Sequence, residues 1–334
     1  MVSPSRRTLV LNAAVAAAAL GLDRSLAIAA PEHGRRTSDP SRGFVRTKVG
    51  DAECTALYDG IWEKAHDPGF FSNATVAETR QALASAGLPT AFIPIPITVF
   101  VIKLNGKVVM CDAGGGDQVQ AFNPDSTFVS GRLMAGMRAA GIDPATIETI
   151  LISHFHPDHI FGLLGKDTNA PVFPNAEIIV PGAEYKFWTD PATVGRLPPG
   201  RRSLARRIQA VVPHWKNVLP VDGEDEVVPG IRFVSVPGHT PGHVSYFRPS
   251  DRVLISGDAL VTLKVNSWAG LLLQRPGLSG PPWYTTWSPR ATKESIERLA
   301  RLEPTVLASG HGQPMTGAGT AEALSAYAGL APDR

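Results

Sequence analysis

The stretch Ser153-His154-Phe155-His156-Pro157-Asp158-His159-Ile160 puts three imidazoles and a carboxylate into six consecutive positions. Neutral imidazole nitrogen and carboxylate oxygen form the donor set for zinc and similar divalent cations. Four donors this close along the chain cannot all reach one tetrahedral ion. The stretch therefore reads as half of a two-metal site and predicts further ligands downstream. The plain alternative is a run of surface histidines at a helix start.

Three downstream segments supply such ligands: Val236-Pro237-Gly238-His239-Thr240-Pro241-Gly242-His243, Ser256-Gly257-Asp258 and Ser309-Gly310-His311-Gly312. Each follows an apolar, strand-like run, and a glycine beside each ligand lets the backbone turn sharply. A lone histidine is more often a satisfied core residue, but these segments together with the first reverse that expectation.

The elements that must position these groups follow from hydrophobic period. Thr149-Ile150-Leu151-Ile152 reads as a buried strand and residues 160–164 as the first turn of a helix, so the first ligands sit on a strand-to-helix loop. Further strands are expected at 44–49, 54–58, 97–104, 107–112, 177–180, 231–236, 244–247, 253–255 and 305–308. Asn105-Gly106 marks a hairpin, and residues 60–73 read as a loop. Helices are expected at 75–87, opened by a Thr75/Glu78 capping box, and at 130–140, 201–212, 292–302 and 320–328. The basic helix 201–212 reads as a solvated face. Asp112-Ala113-Gly114-Gly115-Gly116 lacks the Lys-Ser/Thr of a phosphate cradle. It reads as a tight loop beside the metals, with Asp112 as a hydrogen-bond partner of a ligand. Alternating strands and helices argue for a layered α/β domain.

In this order, H-x-H-x-D-H, G-H-T-P-G-H, S-G-D and S-G-H-G resemble the metallo-β-lactamase-fold hydrolase superfamily. Within it the chain is most similar to the exported methyl parathion hydrolase and lactonase branch, through its leader, Phe173-Pro174-Asn175 and Phe187-Trp188. The resemblance implies a four-layer αβ/βα sandwich with metals at one sheet edge. It also implies that His154, His156 and His239 hold one Zn²⁺, that Asp158, His159 and His311 hold the other, and that Asp258 bridges them. Other divalent metals fit the same donors. The implied chemistry is attack by a metal-bridging hydroxide on a carbonyl carbon or phosphorus, with Asp158, Asp258 and His243 as catalytic groups managing the proton. Asp258 stands where β-lactamases proper carry Cys or Ser, and Val261 stands where cytoplasmic-type lactonases carry Tyr.

A chain of 334 residues with 43% apolar content can bury a substantial core. Arg6-Arg7, the apolar run 9–22 and Ala27-Ile28-Ala29 read as a Tat-type signal peptide over residues 1–29. That segment predicts export to the periplasm or beyond, with no membrane span after cleavage. Residues 30–43 then form a flexible mature start and 44–334 a single hydrolase domain. Arg6, Arg7, Arg24 and Asp23 leave with the leader, so acidic and basic residues balance in the mature chain and nucleic acid is not an expected partner. Cys54 and Cys111 are too few for a disulfide scaffold and are expected as buried thiols.

Substrate choice must come from the pocket walls. Phe92, Trp188, Trp268 and Trp283 are the aromatic candidates, suited to a small hydrophobic ester or lactone; the alternative is an aryl phosphotriester. The same rings could instead pack a loop onto the core or form a homodimer contact. A non-catalytic zinc-binding protein is the reading from outside the enzymes.

Overall fold

The structure, a computed structural model, describes residues 43–330 except 50–51, 69–74, 86–87, 105, 118–119, 124–125, 167, 263–277, 282–284, 313 and 318. The expected leader and nearly all of the mature N-terminal segment lie outside the described residues, as do Trp268 and Trp283. Among the described residues no helix is long and apolar enough to cross a membrane.

The first sheet and its helices are β1 (Phe44–Val49), β2 (Ala52–Ala65), α1 (Val76–Ser85), β3 (Phe92–Leu104), β4 (Lys107–Cys111), β5 (Gln120–Asn123), β6 (Ser126–Val129), α2 (Leu133–Ala140), β7 (Thr149–Leu151), α3 (Pro157–Ile160), β8 (Glu177–Pro181), α4 (Gly182–Thr189), α5 (Thr193–Arg196), α6 (Pro199–Val211) and β9 (Val218–Val221). The second sheet and its helices follow as β10 (Glu226–Val228), β11 (Ile231–Ser235), β12 (Val244–Arg248), β13 (Val253–Ile255), α7 (Pro289–Ala300), β14 (Val306–Ala308), β15 (Met315–Thr316) and α8 (Gly319–Leu330). Among the described residues the first sheet runs β5-β6-β2-β3-β4-β7-β8-β9, with β1 on β2, and the second runs in order from β10 to β15.

Strand periodicity builds the four layers of the expected αβ/βα sandwich. Val109, Cys111, Leu151 and Ile179 face Phe233, Tyr246, Ile255 and Ala308 of the other sheet and form the central layer between them. Their neighbours Met110, Ile150, Ile178 and Val180 point the other way, onto Leu133 and Met137 of α2 and Ala205 and Ile208 of α6. Leu254 and Leu307 likewise leave the central layer to meet Ile296, Leu299 and Leu324 of α7 and α8. A period of two thus gives each sheet two apolar faces and calls for helices on both outsides.

Most of the expected elements are present within a few residues, and the differences have local causes. The loop expected from residue 60 is instead the far half of β2, which runs on to Ala65. The β2–β3 register shifts between Tyr58 and Gly60, so Asp59 is the extra residue of a bulge that redirects its side chain. The helix expected after His159 begins two residues before it, at Pro157, because proline is preorganised for the first helical position. Asp158 and His159 therefore sit in a helical turn. Cys54 and Cys111 are buried free thiols, paired to Ile102 and Phe100 on opposite edges of β3. The basic face of α6 is only partly solvated: Arg201 lies over the Trp287 ring at 4.5 Å and Arg207 over Phe161 at 4.8 Å.

Leu254 is fully buried between the second sheet and its helices. Leu254→Ala is expected to lower the unfolding free energy by about 2–5 kcal/mol in urea denaturation. A loss below about 0.5 kcal/mol would contradict the outer helical layer on that side.

Candidate metal centre

Five loops meet at one edge of the sandwich, and each leaves the C-terminal end of a strand. β4 and β7 run parallel and deliver Asp112 and the 153–159 stretch. In the other sheet β11 and β13 point the same way through the antiparallel β12, and β14 is parallel to β13, so His239, Asp258 and His311 emerge together. Backbone bonds join the two sheets here: Val244 N–H donates to Ser153 O at 3.1 Å, and Thr98 N–H donates to Gly310 O at 2.9 Å. Two glycines permit the approach. Gly257 has φ +52° and leaves room for Ser153, and a Cβ on Gly310 would meet Asp258 Oδ1 at 2.6 Å.

The sequence-predicted ligands fall into two groups that could each hold a metal ion: His154, His156, His239 and Asp258, and then Asp158, His159 and His311. In the first group His156 Nδ1 lies 3.0 Å from His154 Nε2 and 2.9 Å from His239 Nε2. Four-coordinate binding with metal–nitrogen bonds of about 2.0 Å puts ligand atoms about 3.3 Å apart, close to this spacing. Burial pushes His156 down to about 3 and His154 and His239 well below the ordinary histidine value. All three rings are thus neutral, and one ring proton cannot satisfy three converging nitrogens. A cation at their meeting point does satisfy them, so the donors fit a divalent metal.

The second group is organised by charge. Burial alone would raise the Asp258 carboxyl, but His311 and His159 hold it well below the carboxylate range. Burial likewise opposes the charge on His311, yet Asp258 and Asp158 carry that imidazole up to about 9. His159 rises for the same reason, with Asp112 adding to Asp258. Asp158 moves the other way from Asp258: burial pushes its carboxyl up. Asp258 Oδ1 and His159 Nε2 are buried with no hydrogen-bond partner among the described residues, and they lie 3.4 Å apart.

The far ring nitrogens are tied down, which aims the near ones. His159 Nδ1 bonds Asp112 Oδ2 at 2.8 Å, and Asp112 also accepts from the Ser153 amide at 2.7 Å and the Ser153 hydroxyl at 2.8 Å. His311 Nδ1 donates to Pro96 O at 2.7 Å, and His154 Nδ1 meets Ser153 Oγ at 3.0 Å. Such partners fix tautomer and ring orientation. Asp112 thus stands behind His159. Asp59 was not anticipated. Aimed inward by the β2 bulge, it accepts from the amides of Gly115, Gly131 and Leu133 at 2.8, 3.0 and 2.9 Å, which fastens the glycine loop and caps α2. A carboxylate inside an apolar strand, Leu57-Tyr58-Asp59-Gly60-Ile61, was the available signal.

Two expectations need correction. His243 is fully buried, and its Nε2 accepts the Asp258 amide at 3.0 Å. It therefore steadies the Asp258 backbone and has no free path to carry a substrate proton. Trp188 is no pocket wall: it is fully buried in the core under α4, and its indole N–H donates to Glu184 at 2.7 Å. Phe92 is half-buried at the start of β3, four residues before Pro96 and so about 13 Å from it along the strand. Among the described aromatic residues Trp287 is tied to the His239 turn: its amide donates to Gly238 O at 2.8 Å, and its ring meets Phe187 at 5.2 Å.

Comparison with known proteins fits this geometry. A family model described as the metallo-beta-lactamase superfamily matches residues 93–311, from β3 through His311. The probable metallo-hydrolase YflN of Bacillus subtilis (strain 168) is 34% identical over 180 residues, covering 51% of this chain and 66% of that protein, just under two thirds of its length. An N-acyl homoserine lactonase of Bacillus thuringiensis is 25% identical over 249 residues, covering 70% of this chain and 87% of that one. Among solved structures AidC, a dizinc quorum-quenching lactonase, is similar in fold, with TM-score 0.61 and 23% identity over 82% of this chain and 92% of that one. The match spans most of both sheets and every one of the converging His and Asp side chains, and the chain belongs to the metallo-β-lactamase superfamily.

Proposed function

We propose that the chain is a dinuclear zinc hydrolase acting on a small hydrophobic ester or lactone. His154, His156 and His239 would hold one ion, Asp158, His159 and His311 the other, and Asp258 would serve both. The observation that carries this reading is the position of the Asp258 carboxylate. It lies 3.5 Å from His239 Nε2 of the first group, and 3.2 and 3.4 Å from His311 and His159 Nε2 of the second. The N-acyl homoserine lactonase relatives and the fold likeness to a dizinc lactonase support it.

Bound there, the two ions supply Lewis acidity, polarising the substrate's carbonyl oxygen and lowering the pKa of water toward neutrality. The chain's own residues do the rest. Burial keeps three imidazoles neutral and able to donate a lone pair, and before any ion is bound His311 and His159 hold Asp258 ionised and ready to ligate. Asp158, whose carboxyl burial pushes up before loading, would give the second ion Oδ2, which lies 3.5 Å from His311 Nε2, and is suited to take a proton at Oδ1 and return it to the leaving alkoxide. Two carboxylates shifted in opposite directions divide the roles.

Among the ligand side chains His156 alone is only half-buried, so substrate reaches the centre past His156 and Trp287. The Trp287 and Phe187 rings, with the Arg201 guanidinium 4.5 Å over Trp287, would border that entrance and suit an acyl or aryl group. Val261 is buried, with its backbone bridged to Ser279, and brings no hydroxyl, so the reaction proceeds without a Tyr proton donor at that position. The twin-arginine leader supports action after export.

Two outcomes test the reading. Loading of the second group must displace protons from His311 and His159, whereas the first group is already neutral. Zinc titrations from about pH 8 down to about pH 6 should weaken one site by up to about tenfold per pH unit for each proton displaced, and leave the other nearly constant. Parallel weakening of both sites would contradict the division into two groups. Zinc-loaded protein assayed side by side on a p-nitrophenyl ester, an acyl homoserine lactone and an aryl dialkyl phosphate should turn over the ester or lactone fastest. Turnover of the phosphate alone would overturn the substrate class, and turnover of none would overturn the catalytic reading in favour of a binding protein.

A further inference from the structure

Glu184 is a fully buried carboxylate that the chemistry above leaves unused. It sits in the first turn of α4. Burial pushes its carboxyl up while the Phe155, Trp188 and Gly242 N–H groups and the Thr240 hydroxyl pull it back. Oε1 accepts from the Phe155 amide at 3.0 Å and from Trp188 Nε1 at 2.7 Å, and Oε2 accepts from the Gly242 amide at 2.8 Å. All three neighbours are donors. A carboxylate accepts at both oxygens, whereas an amide side chain of the same shape would turn one end into a donor facing a donor.

The addresses of those donors give the arrangement its meaning. Phe155 lies between His154 and His156, and Gly242 lies at the end of the turn that begins with His239. A single carboxylate therefore ties together the two loops that supply the three imidazoles of the first group. The fit is close: a Cβ on Gly242 would meet the Glu184 backbone nitrogen at 2.2 Å, so the His239 turn seats directly on α4. Trp188 bridges neither loop and packs beside the clamp. Its ring meets Trp287 at 6.0 Å, and Trp287 holds Gly238 O.

We propose that Glu184 is a positioning residue that sets the 2.9 Å approach of His239 Nε2 to His156 Nδ1, and through it the metal affinity of the first group. The proposal rests on reading His154, His156 and His239 as ligands. It is tested by chelator competition for zinc and by the visible absorption of the cobalt(II)-loaded protein, on the full chain and on Glu184→Gln and Trp188→Phe. The Gln variant should bind one of the two ions at least about tenfold more weakly, with altered cobalt bands, and the other within about threefold. Trp188→Phe removes one donor but neither loop tether, and should keep both affinities within about threefold while its Tm falls. Should the Gln variant not fold, Glu184→Asp keeps both acceptors on a shorter arm, and the same tenfold loss is expected. Unchanged affinity and spectrum in whichever Glu184 variant folds, or equal losses in the Trp188 variant, would overturn the proposal. A wild-type chain that binds no zinc would overturn the metal reading instead.

Discussion

Converging donors that cannot satisfy one another are the constraint on which the rest of this structure depends. His154, His156 and His239 bring three neutral nitrogens together within hydrogen-bonding distance, with His154 and His239 buried. Beside them Asp258 Oδ1 and His159 Nε2 are buried without hydrogen-bond partners among the described residues. Burying unpaired polar groups costs several kcal/mol unless something compensates them. The compensation that matches both groups at once is positive charge placed between the donors.

The surrounding fold is arranged to hold those donors in place. Strand ends from both sheets deliver them to one edge, and a ring of further carboxylates braces the loops from behind. Asp112 shows the cost: it adopts φ +62°, a left-handed conformation that favours glycine, and it is kept there by bonds to Ser153 and His159. Asp59 reaches the glycine loop only because a bulge adds a residue to β2. His243, which carries the same side chain as the ligands, fastens the Asp258 backbone instead. Chemical type alone did not separate these roles. Burial and the direction of each ring did.

Much of the centre was legible in the residues because metal ligands are polar types placed where apolar ones are expected. His154 to His159 are clustered on the chain, and His239, Asp258 and His311 each stand beside glycine after an apolar run. Their division between two groups came with the family resemblance, and the structure brings together the same sets. The bracing was harder to see. Asp59 acts on partners 56 or more residues away, and Glu184 reaches Phe155 and Gly242, 29 and 58 residues away, and no local pattern encodes such distances. Trp188 was misread because a large aromatic next to helix-breaking residues looks the same whether it lines a pocket or fills a core. Its neighbours decide, and they come from α4, α6 and the loop before α7. Among the strands, β13 was delimited by its apolar run, whereas β2 was cut short at a glycine that marks a bulge and not an end.

The central claim is that one carboxylate and six further ligands form two ion sites sharing Asp258. Metal content measured by mass spectrometry on the purified chain and on His239→Ala and His311→Ala tests it most directly. The account predicts about two zinc ions per wild-type chain and about one in each variant, because each substitution removes a ligand from a different group. A wild-type value of about one, with either substitution alone abolishing binding, would contradict it.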